Sequence, residues 1–153
     1  MFVNEREILV EWGHCDPAGI VFYPNYLAWF DHCTTALFNG AGLPTHALFK
    51  AHGIIGVPLV DLKVRFLASS TFNDKLLARS SVLEWRKTSF LLQHQFYKGD
   101  VLAVEGVETR VWTGHDPENP GRLKSRSIPA EVIARLSASR PIETSSGEGL
   151  PNQ

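Results

Sequence analysis

Residues 24–40 read PNYLAWFDHCTTALFNG and predict the one long helix of the chain. Pro24 suits the first turn, where its missing N–H costs nothing and its fixed φ is already helical. From Tyr26 onward, apolar side chains recur every three or four residues, which is typical of a helix with one buried face. Gly40 and Gly42 provide a natural end. The predicted buried face consists of Leu27, Phe30, Cys33, Leu37, Phe38 and Ala41.

The rest of the chain is predicted to be mainly β-strand. A first strand covers Glu5 to Trp12, with Ile8 and Val10 on one face and Leu9 on the other. One long helix followed by sequential strands favours an α+β domain with an antiparallel sheet over a parallel α/β sheet. Periodicity alone does not select a sheet wrapped around the helix over other α+β arrangements. Four further strands are expected at 62–66, 77–85, 90–97 and 101–113, with turns at 86–88 and 98–100, a loop at 114–121, a short strand at 122–126 and a short helix at 129–136.

The composition limits the number of domains and the classes of partner. A chain of 153 residues with 44% hydrophobic content is expected to form one domain, residues 1–136, followed by a Ser-, Gly- and Pro-rich flexible tail at 137–153. A net charge of -1 provides no general attraction to nucleic acid or to anionic lipid. No apolar run approaches the ~20 residues of a membrane span. The start MFVNERE lacks the features of a signal peptide, so a cytoplasmic location is expected, with Cys15 and Cys33 as free thiols.

Asp16 is the first candidate for chemistry, because it lies in a turn just before the predicted helix. Free N–H groups at a helix start can polarise a carbonyl oxygen, and the helix dipole favours negative charge there. A carboxylate beside such a site supplies two of the parts that acyl transfer needs. The alternative is that residues 16–19, DPAG, form only a turn with a capping Asp.

Other polar residues give weaker signals. Asp31 borders the apolar face of the helix and is either a solvated boundary carboxylate or a polar group reaching into an apolar pocket. Cys15 and His14 are adjacent on an extended segment, point apart and do not easily form a nucleophile–base pair. His94 is expected to be a hydrogen-bonded strand residue. The six His residues show no zinc-binding spacing, so no metal is expected.

Two basic clusters are candidates for phosphate binding. Arg86, Lys87 and Ser89 surround a predicted hairpin turn, where side-chain and backbone donors can grip a phosphate. The second cluster consists of Arg122, Lys124 and Arg126. Surface turns are often basic for solubility alone. Together, however, the clusters would suit a ligand that carries several phosphates.

Residues 13–26, GHCDPAGIVFYPNY, resemble the signature of the 4-hydroxybenzoyl-CoA thioesterase family, a branch of the hot-dog superfamily. The resemblance continues through residues 29–31, 42–44, 53–58 and 84–90, fades after Thr113 and resumes weakly at 122–124. It implies a hot-dog fold, in which an antiparallel sheet wraps around one long central helix. It also implies hydrolysis of an acyl-CoA without a bound cofactor or metal.

The resemblance assigns roles by position. Asp16 matches the catalytic Asp, which attacks the thioester carbonyl or activates water, and the backbone N–H of Tyr23 matches the group that holds the carbonyl oxygen. Asp31 matches the residue that receives the para-hydroxyl group of the substrate. The family pairs subunits edge to edge, so a homodimer or homotetramer with active sites at the interface is expected. The positions that match CoA contacts are Arg86, Lys87, Ser89 and Lys124.

Two departures concern the acyl pocket. His46 stands where the family prototype carries Trp, and Val57 replaces a Thr beside the site. They leave the chemistry unchanged but leave the acyl group open. The expected substrate is an aromatic acyl-CoA, with 4-hydroxybenzoyl-CoA as the best candidate. The alternatives are a thioesterase for another aromatic or a short-chain acyl-CoA, a hot-dog hydratase or dehydratase, and a non-catalytic acyl-CoA-binding module.

Overall fold

An antiparallel sheet packed against one long helix dominates the fold. The structure is a computed structural model and describes residues 1–139. The main sheet has the spatial order β1-β3-β4-β5-β2, and β6 and β7 form a second, two-stranded sheet. The α+β class predicted from the sequence is confirmed. The strands are β1 (Asn4–Leu9), β2 (Leu59–Phe66), β3 (Lys75–Trp85), β4 (Ser89–Lys98), β5 (Val101–Val111), β6 (Thr113–His115) and β7 (Leu123–Ser125), and the helices are α1 (Pro24–Gly40), α2 (Thr45–His52) and α3 (Ala130–Ser137).

Helix α1 lies across the face of the sheet and forms the centre of the core. Four of its six predicted core residues are buried, whereas Leu27 and Ala41 are only partly buried. Its start packs with β1, β3 and β4 through Trp29, Phe30 and Phe96, and its end packs with the other half of the core. That second half is built from Leu37, Phe38, Leu43, Phe90, Leu92, Trp112, Val132 and Leu136.

Gly106 of β5 permits the close approach of α1 to the middle of the sheet. A Cβ atom at this position would lie 2.6 Å from Cε2 of Phe30, which is closer than real Cβ contacts. Phe30 also stacks on the ring of His94, which is paired with Gly106 across β4 and β5. The absence of a side chain at position 106 therefore fixes how closely the helix packs on the strands.

The structure differs from the sequence prediction in several places. Strand β1 ends at Leu9, short of the predicted end at Trp12, and Trp12 instead begins a 3-10 turn at Trp12–His14. Helix α2, bounded by Pro44 and by Gly53 with a φ of 60°, was not predicted, because eight residues with one buried side chain give little periodic signal. The predicted loop at 114–121 starts two residues too early, since Gly114 and His115 belong to β6.

The predicted tail at 137–153 lies mostly outside the described residues. Within them, α3 continues to Ser137 and packs against β3. No helix within residues 1–139 is long and apolar enough to cross a membrane.

Candidate active site

A tight hairpin before α1 carries Asp16. The N–H of Asp16 donates to the carbonyl of Ile20 at 3.0 Å, and Cys15 pairs with Val21 as an antiparallel bridge. At the tip, Gly19 has a φ of 79°, a conformation that glycine adopts without steric cost. The hairpin therefore fixes the backbone of Asp16 just before the helix.

The Asp16 carboxylate is half-buried and only partly used by the turn. Its Oδ1 accepts a hydrogen bond of 2.8 Å from the N–H of Ala18, so the interpretation of Asp16 as a turn-forming residue is correct for this oxygen. Its Oδ2 has no hydrogen-bond partner among residues 1–139. One oxygen fixes the side chain and the other can accept a proton or attack a carbonyl carbon.

Tyr23 supplies a free amide at the start of α1. The neighbouring amides are occupied, since Phe22 donates to His14, Asn25 to Phe22 and Tyr26 to Tyr23, whereas Pro24 has no N–H. The N–H of Tyr23 has no acceptor in the described part of the chain. A free donor at a helix start can bind an oxygen that gains negative charge.

The first cavity lies beside this helix start and has a volume of about 310 Å³. Its wall is largely apolar and includes Ile20, Tyr23, Tyr26 and Phe66. The loop after β2 forms one side of it, where the N–H of Val21 donates to the carbonyl of Ser70 at 2.9 Å. Asp16 is not one of its lining residues but lies on the opposite arm of the same hairpin.

The second cavity lies between α1, α2 and the end of β5, and has a volume of about 330 Å³. It shares no lining residue with the first cavity. Its walls include Asp31, Thr34, Thr45, Phe49, Val57 and Arg110. The family resemblance assigns three residues to the acyl pocket. Asp31 and Val57 line this cavity, whereas His46 is exposed on α2 and does not line it.

Arg110 connects Asp31 to a buried polar network. Its Nη2 donates to Asp31 Oδ1 at 3.0 Å and to Glu108 Oε1 at 3.2 Å, and its Nε donates to Glu108 Oε2 at 2.7 Å. Nη1 donates to the carbonyl of Val57 at 3.2 Å. Four of the five N–H groups of this guanidinium are thus used, and the group is held on three sides.

Glu108 is the buried centre of this network. Thr34 donates to its Oε2 at 3.1 Å, and His94 Nε2 lies 3.3 Å from the same oxygen. His94 Nδ1 lies 2.7 Å from the hydroxyl of Ser80. Burial alone would raise the pKa of Glu108, but hydrogen bonds and charge from His94 and Arg110 outweigh burial and lower the pKa to about 2. Glu108 is therefore ionised at neutral pH and anchors Arg110.

The sequence prediction missed Glu108 and Arg110. Both lie on the buried face of β5, on the same side as the buried Val104 and Gly106. Two charged residues on the inward face of a strand are an unusual pattern that could have marked them. The prediction that His94 is a hydrogen-bonded strand residue is confirmed.

The two basic clusters lie on adjacent segments. The turn at 86–88 meets the segment after β7, because the N–H of Ile128 donates to the carbonyl of Lys87 at 3.0 Å. Lys87 and Lys124 are exposed. Arg86 donates to the Glu84 carboxylate at 2.7 Å. Ser89 is half-buried and pairs with Val111, next to Arg110 of the second cavity.

Arg126 has a structural role that the sequence did not predict. Its guanidinium donates to the backbone carbonyls of Gly53 at 3.0 Å and His115 at 2.9 Å. These hydrogen bonds hold the β6–β7 region against the end of α2. The side chain of Lys124, by contrast, has no hydrogen bond or ion pair within residues 1–139.

His14 and Cys15 do not form a nucleophile–base pair. His14 Nδ1 accepts a hydrogen bond from the N–H of Glu11 at 2.9 Å, and the Cys15 thiol lies 3.9 Å from the carbonyl of Glu11. Cys15 and Cys33 are both free thiols, as predicted. Burial raises the pKa of the Cys33 thiol to about 11, which keeps it protonated and unreactive at neutral pH.

Comparisons with known proteins find thioesterases that are similar to this chain. The family model described as thioesterase-like superfamily matches residues 10–136. The 4-hydroxybenzoyl-CoA thioesterase of Pseudomonas sp. (strain CBS-3) is 35% identical over 130 residues, covering 81% of this chain and 90% of that protein. A putative acyl-CoA thioesterase of Bacillus subtilis (strain 168), YneP, is 32% identical over 121 residues, covering 78% of this chain and 86% of that protein.

Solved structures of thioesterases have a similar fold. A 4-hydroxybenzoyl CoA thioesterase mutant complexed with 4-hydroxybenzoyl CoA matches with a TM-score of 0.80 and 32% identity, covering 88% of this chain and 99% of that chain. A gentisyl-coenzyme A thioesterase matches with a TM-score of 0.73 and 32% identity, covering 88% of this chain and all (100%) of that chain. The hot-dog fold predicted from the sequence is thereby confirmed.

Proposed function

This chain belongs to the thioesterase-like superfamily and is a thioester hydrolase, and from that premise we propose that it hydrolyses an aromatic acyl-CoA, with 4-hydroxybenzoyl-CoA as the best candidate substrate. The products are the free acid and CoA. The observation that carries the proposal is that the hairpin with the half-used Asp16 carboxylate leads directly into the free amide of Tyr23 at the start of α1. Relatives that are named for 4-hydroxybenzoyl-CoA and gentisyl-coenzyme A support an aromatic acyl group.

The proposed chemistry needs only these two groups and water. The amide of Tyr23 donates to the thioester oxygen and stabilises the negative charge that forms as the carbonyl carbon is attacked. Asp16 Oδ2 either attacks that carbon, forming an anhydride that water then opens, or takes a proton from an attacking water. In both routes the C–S bond breaks, and CoA leaves as a thiolate that gains a proton.

We further propose that two copies of the chain complete each site. Within the described residues β2 has a strand neighbour on one side only, β5, so its other edge is open. Antiparallel pairing of β2 with the β2 of a second copy would place the Phe66 end of one beside the Leu59 end of the other. Phe66 lines the first cavity, and Pro58, next to Leu59, lines the second. The β2–β2 pairing would therefore place the first cavity of one subunit beside the second cavity of the other.

In this arrangement the two cavities have different tasks. The Asp16 hairpin of one subunit would meet the acyl carbonyl, and the partner subunit's Asp31 would receive the ring hydroxyl. The exposed Lys87 and Lys124, with Arg86 and Ser89, would bind the phosphates of the CoA nucleotide. His46 and Val57 would influence which acyl group is accepted.

The proposal is tested by assaying thiol release from a panel of acyl-CoAs. We expect turnover of hydroxylated aromatic acyl-CoAs above that of short-chain acyl-CoAs. Asp16→Asn should lower kcat by roughly three orders of magnitude, as expected when a nucleophile or general base is lost, and should leave CoA binding nearly intact. An Asn variant with normal turnover would reject the role of Asp16.

The same assay distinguishes the competing functions. A non-catalytic acyl-CoA-binding module would bind the substrates without steady-state thiol release. A hydratase or dehydratase would need a histidine near the acid, but His14 Nδ1 is occupied by the Glu11 amide. This contact favours hydrolysis.

A further inference from the structure

The Asp31 carboxylate is exposed, yet it is tied to a buried cation. Its side chain is 66% exposed, whereas that of Arg110 is 8% exposed. Arg110 Nη2 is the hydrogen-bond partner of Asp31 among residues 1–139, and it binds Oδ1 and leaves Oδ2 free. An exposed carboxylate without such a contact would rotate among several side-chain conformations.

Arg110 itself is held rigidly. Its guanidinium makes two hydrogen bonds to Glu108 and a third to the carbonyl of Val57, which lines the same cavity. Glu108 is in turn fixed by Thr34 of α1 and lies beside His94 of β4. The position of the Asp31 carboxylate is therefore determined from inside the core rather than from the surface.

We propose that Arg110 is a positioning residue for substrate selection, which holds the Asp31 carboxylate so that its free oxygen accepts a hydrogen bond from a ring hydroxyl in the second cavity. This inference rests on the proposed function, because it assumes that an aromatic acyl group occupies that cavity. Arg110 acts through Asp31 and is not itself a catalytic residue.

The charge at Asp31 indicates the class of acyl group. The bidentate Glu108 carboxylate pairs with Arg110 inside the network, so Asp31 is the carboxylate whose charge faces the cavity. Such a site favours an uncharged donor, such as a phenolic hydroxyl, and disfavours a ring that carries a carboxylate. An unsubstituted ring would leave Oδ2 of Asp31 without a donor.

The test compares kcat/KM for 4-hydroxybenzoyl-CoA with kcat/KM for benzoyl-CoA. Asp31→Ala should lower this ratio by about tenfold or more, since a hydrogen bond to a charged group is lost. Arg110→Lys should lower the same ratio at least about threefold, because one ammonium group cannot replace a planar fork that binds Glu108, Val57 and Asp31 together. In the Asp31→Ala background, Arg110→Lys should leave the ratio unchanged.

Selectivity separates positioning from a merely structural role. A structural lesion would lower the rates for both substrates equally and would leave their ratio as in the wild type. Arg79→Lys, the same change in an ion pair with Glu5 at 2.9 Å on β1 and β3, is the matched control and should not alter the ratio. If Arg110→Lys does not fold, Glu108→Gln, which weakens the anchor with little change of shape, should lower the ratio in the same direction.

The possible results separate this inference from the proposed function. If Asp31→Ala lowers the ratio but Arg110→Lys and Glu108→Gln do not, Arg110 does not position Asp31, while the proposed substrate stands. If Asp31→Ala leaves the ratio unchanged in an active enzyme, both the hydroxyl-binding role of Asp31 and this inference are wrong. If neither substrate is hydrolysed, the proposed function itself fails.

Discussion

Asp16 has a structural role in its turn and a proposed role in catalysis, and its sequence context does not separate them. A DPAG turn needs a side-chain acceptor for a backbone N–H, and Oδ1 of Asp16 accepts that of Ala18. The turn interpretation and the catalytic interpretation are therefore compatible. Holding one oxygen in the turn orients the other, which lowers the entropy cost of using it in the reaction.

The position of Glu108 makes the stability of the fold sensitive to acid. Its pKa is lowered from 4.5 to about 2 in the folded protein, so the unfolded chain binds more protons between these values. The ionised carboxylate thus contributes stability that is present above pH ~4.5 and is lost as the pH falls through ~2. Urea titrations should show this loss, on the order of a few kcal/mol, as a steep fall in the free energy of unfolding.

Glu108→Gln should flatten this pH dependence while lowering stability at neutral pH, because the hydrogen bonds with Arg110 lose their charge. Glu118→Gln, at an exposed loop position, removes a carboxylate without disturbing the network and serves as the control. Equal pH slopes for the two variants would contradict the assignment of Glu108 as an ionised buried group.

The strand β5 shows what the sequence predicts and what it does not. Its existence as a strand was predicted, and so was the turn that joins it to β4. Its ion pair with α1 was not, because Asp31 and Arg110 are 79 residues apart and periodicity carries no information on such contacts. Likewise, α1 was predicted from its long apolar repeat, whereas α2 is too short to give one.

Gly106→Ala should destabilise the packing of α1 on β5. The added methyl group would overlap the ring of Phe30, and overpacking of a core costs about 1–3 kcal/mol. Thermal or urea unfolding measures the loss. Gly13→Ala is a suitable control, since a Cβ there meets nothing within 4 Å.

A second substitution tests the cause. Phe30→Leu should cost stability in the wild type but less in the Gly106→Ala variant, because the smaller side chain makes room for the methyl group. Additive losses would show that the overlap with Phe30 is not the reason for the destabilisation.

For the whole molecule, the separation of the two cavities predicts that activity depends on assembly. Val60, at the Leu59 end of β2, has 60% of its surface exposed in the single chain. Val60→Lys should leave the subunit folded but place a charge in the proposed β2–β2 contact. Specific activity should then fall on dilution at enzyme concentrations where the wild type is unaffected.

Light scattering at the same concentrations measures the molecular mass. Val101→Lys is a matched control, because Val101 is 54% exposed at the start of β5, beside the turn from β4. A Val60→Lys variant that is monomeric and fully active would contradict the shared site.

A single amide at the start of α1 has a consequence for how a bound thioester is oriented. Because Pro24 has no N–H and the adjacent amides are used within the turn, only one hydrogen bond from this segment can hold the carbonyl oxygen. One bond would leave the acyl group free to rotate about the carbonyl oxygen. Contacts with the ring end of the substrate would then have to select which face of the carbonyl meets Asp16. Shortening or removing the ring should then reduce kcat more than it raises KM.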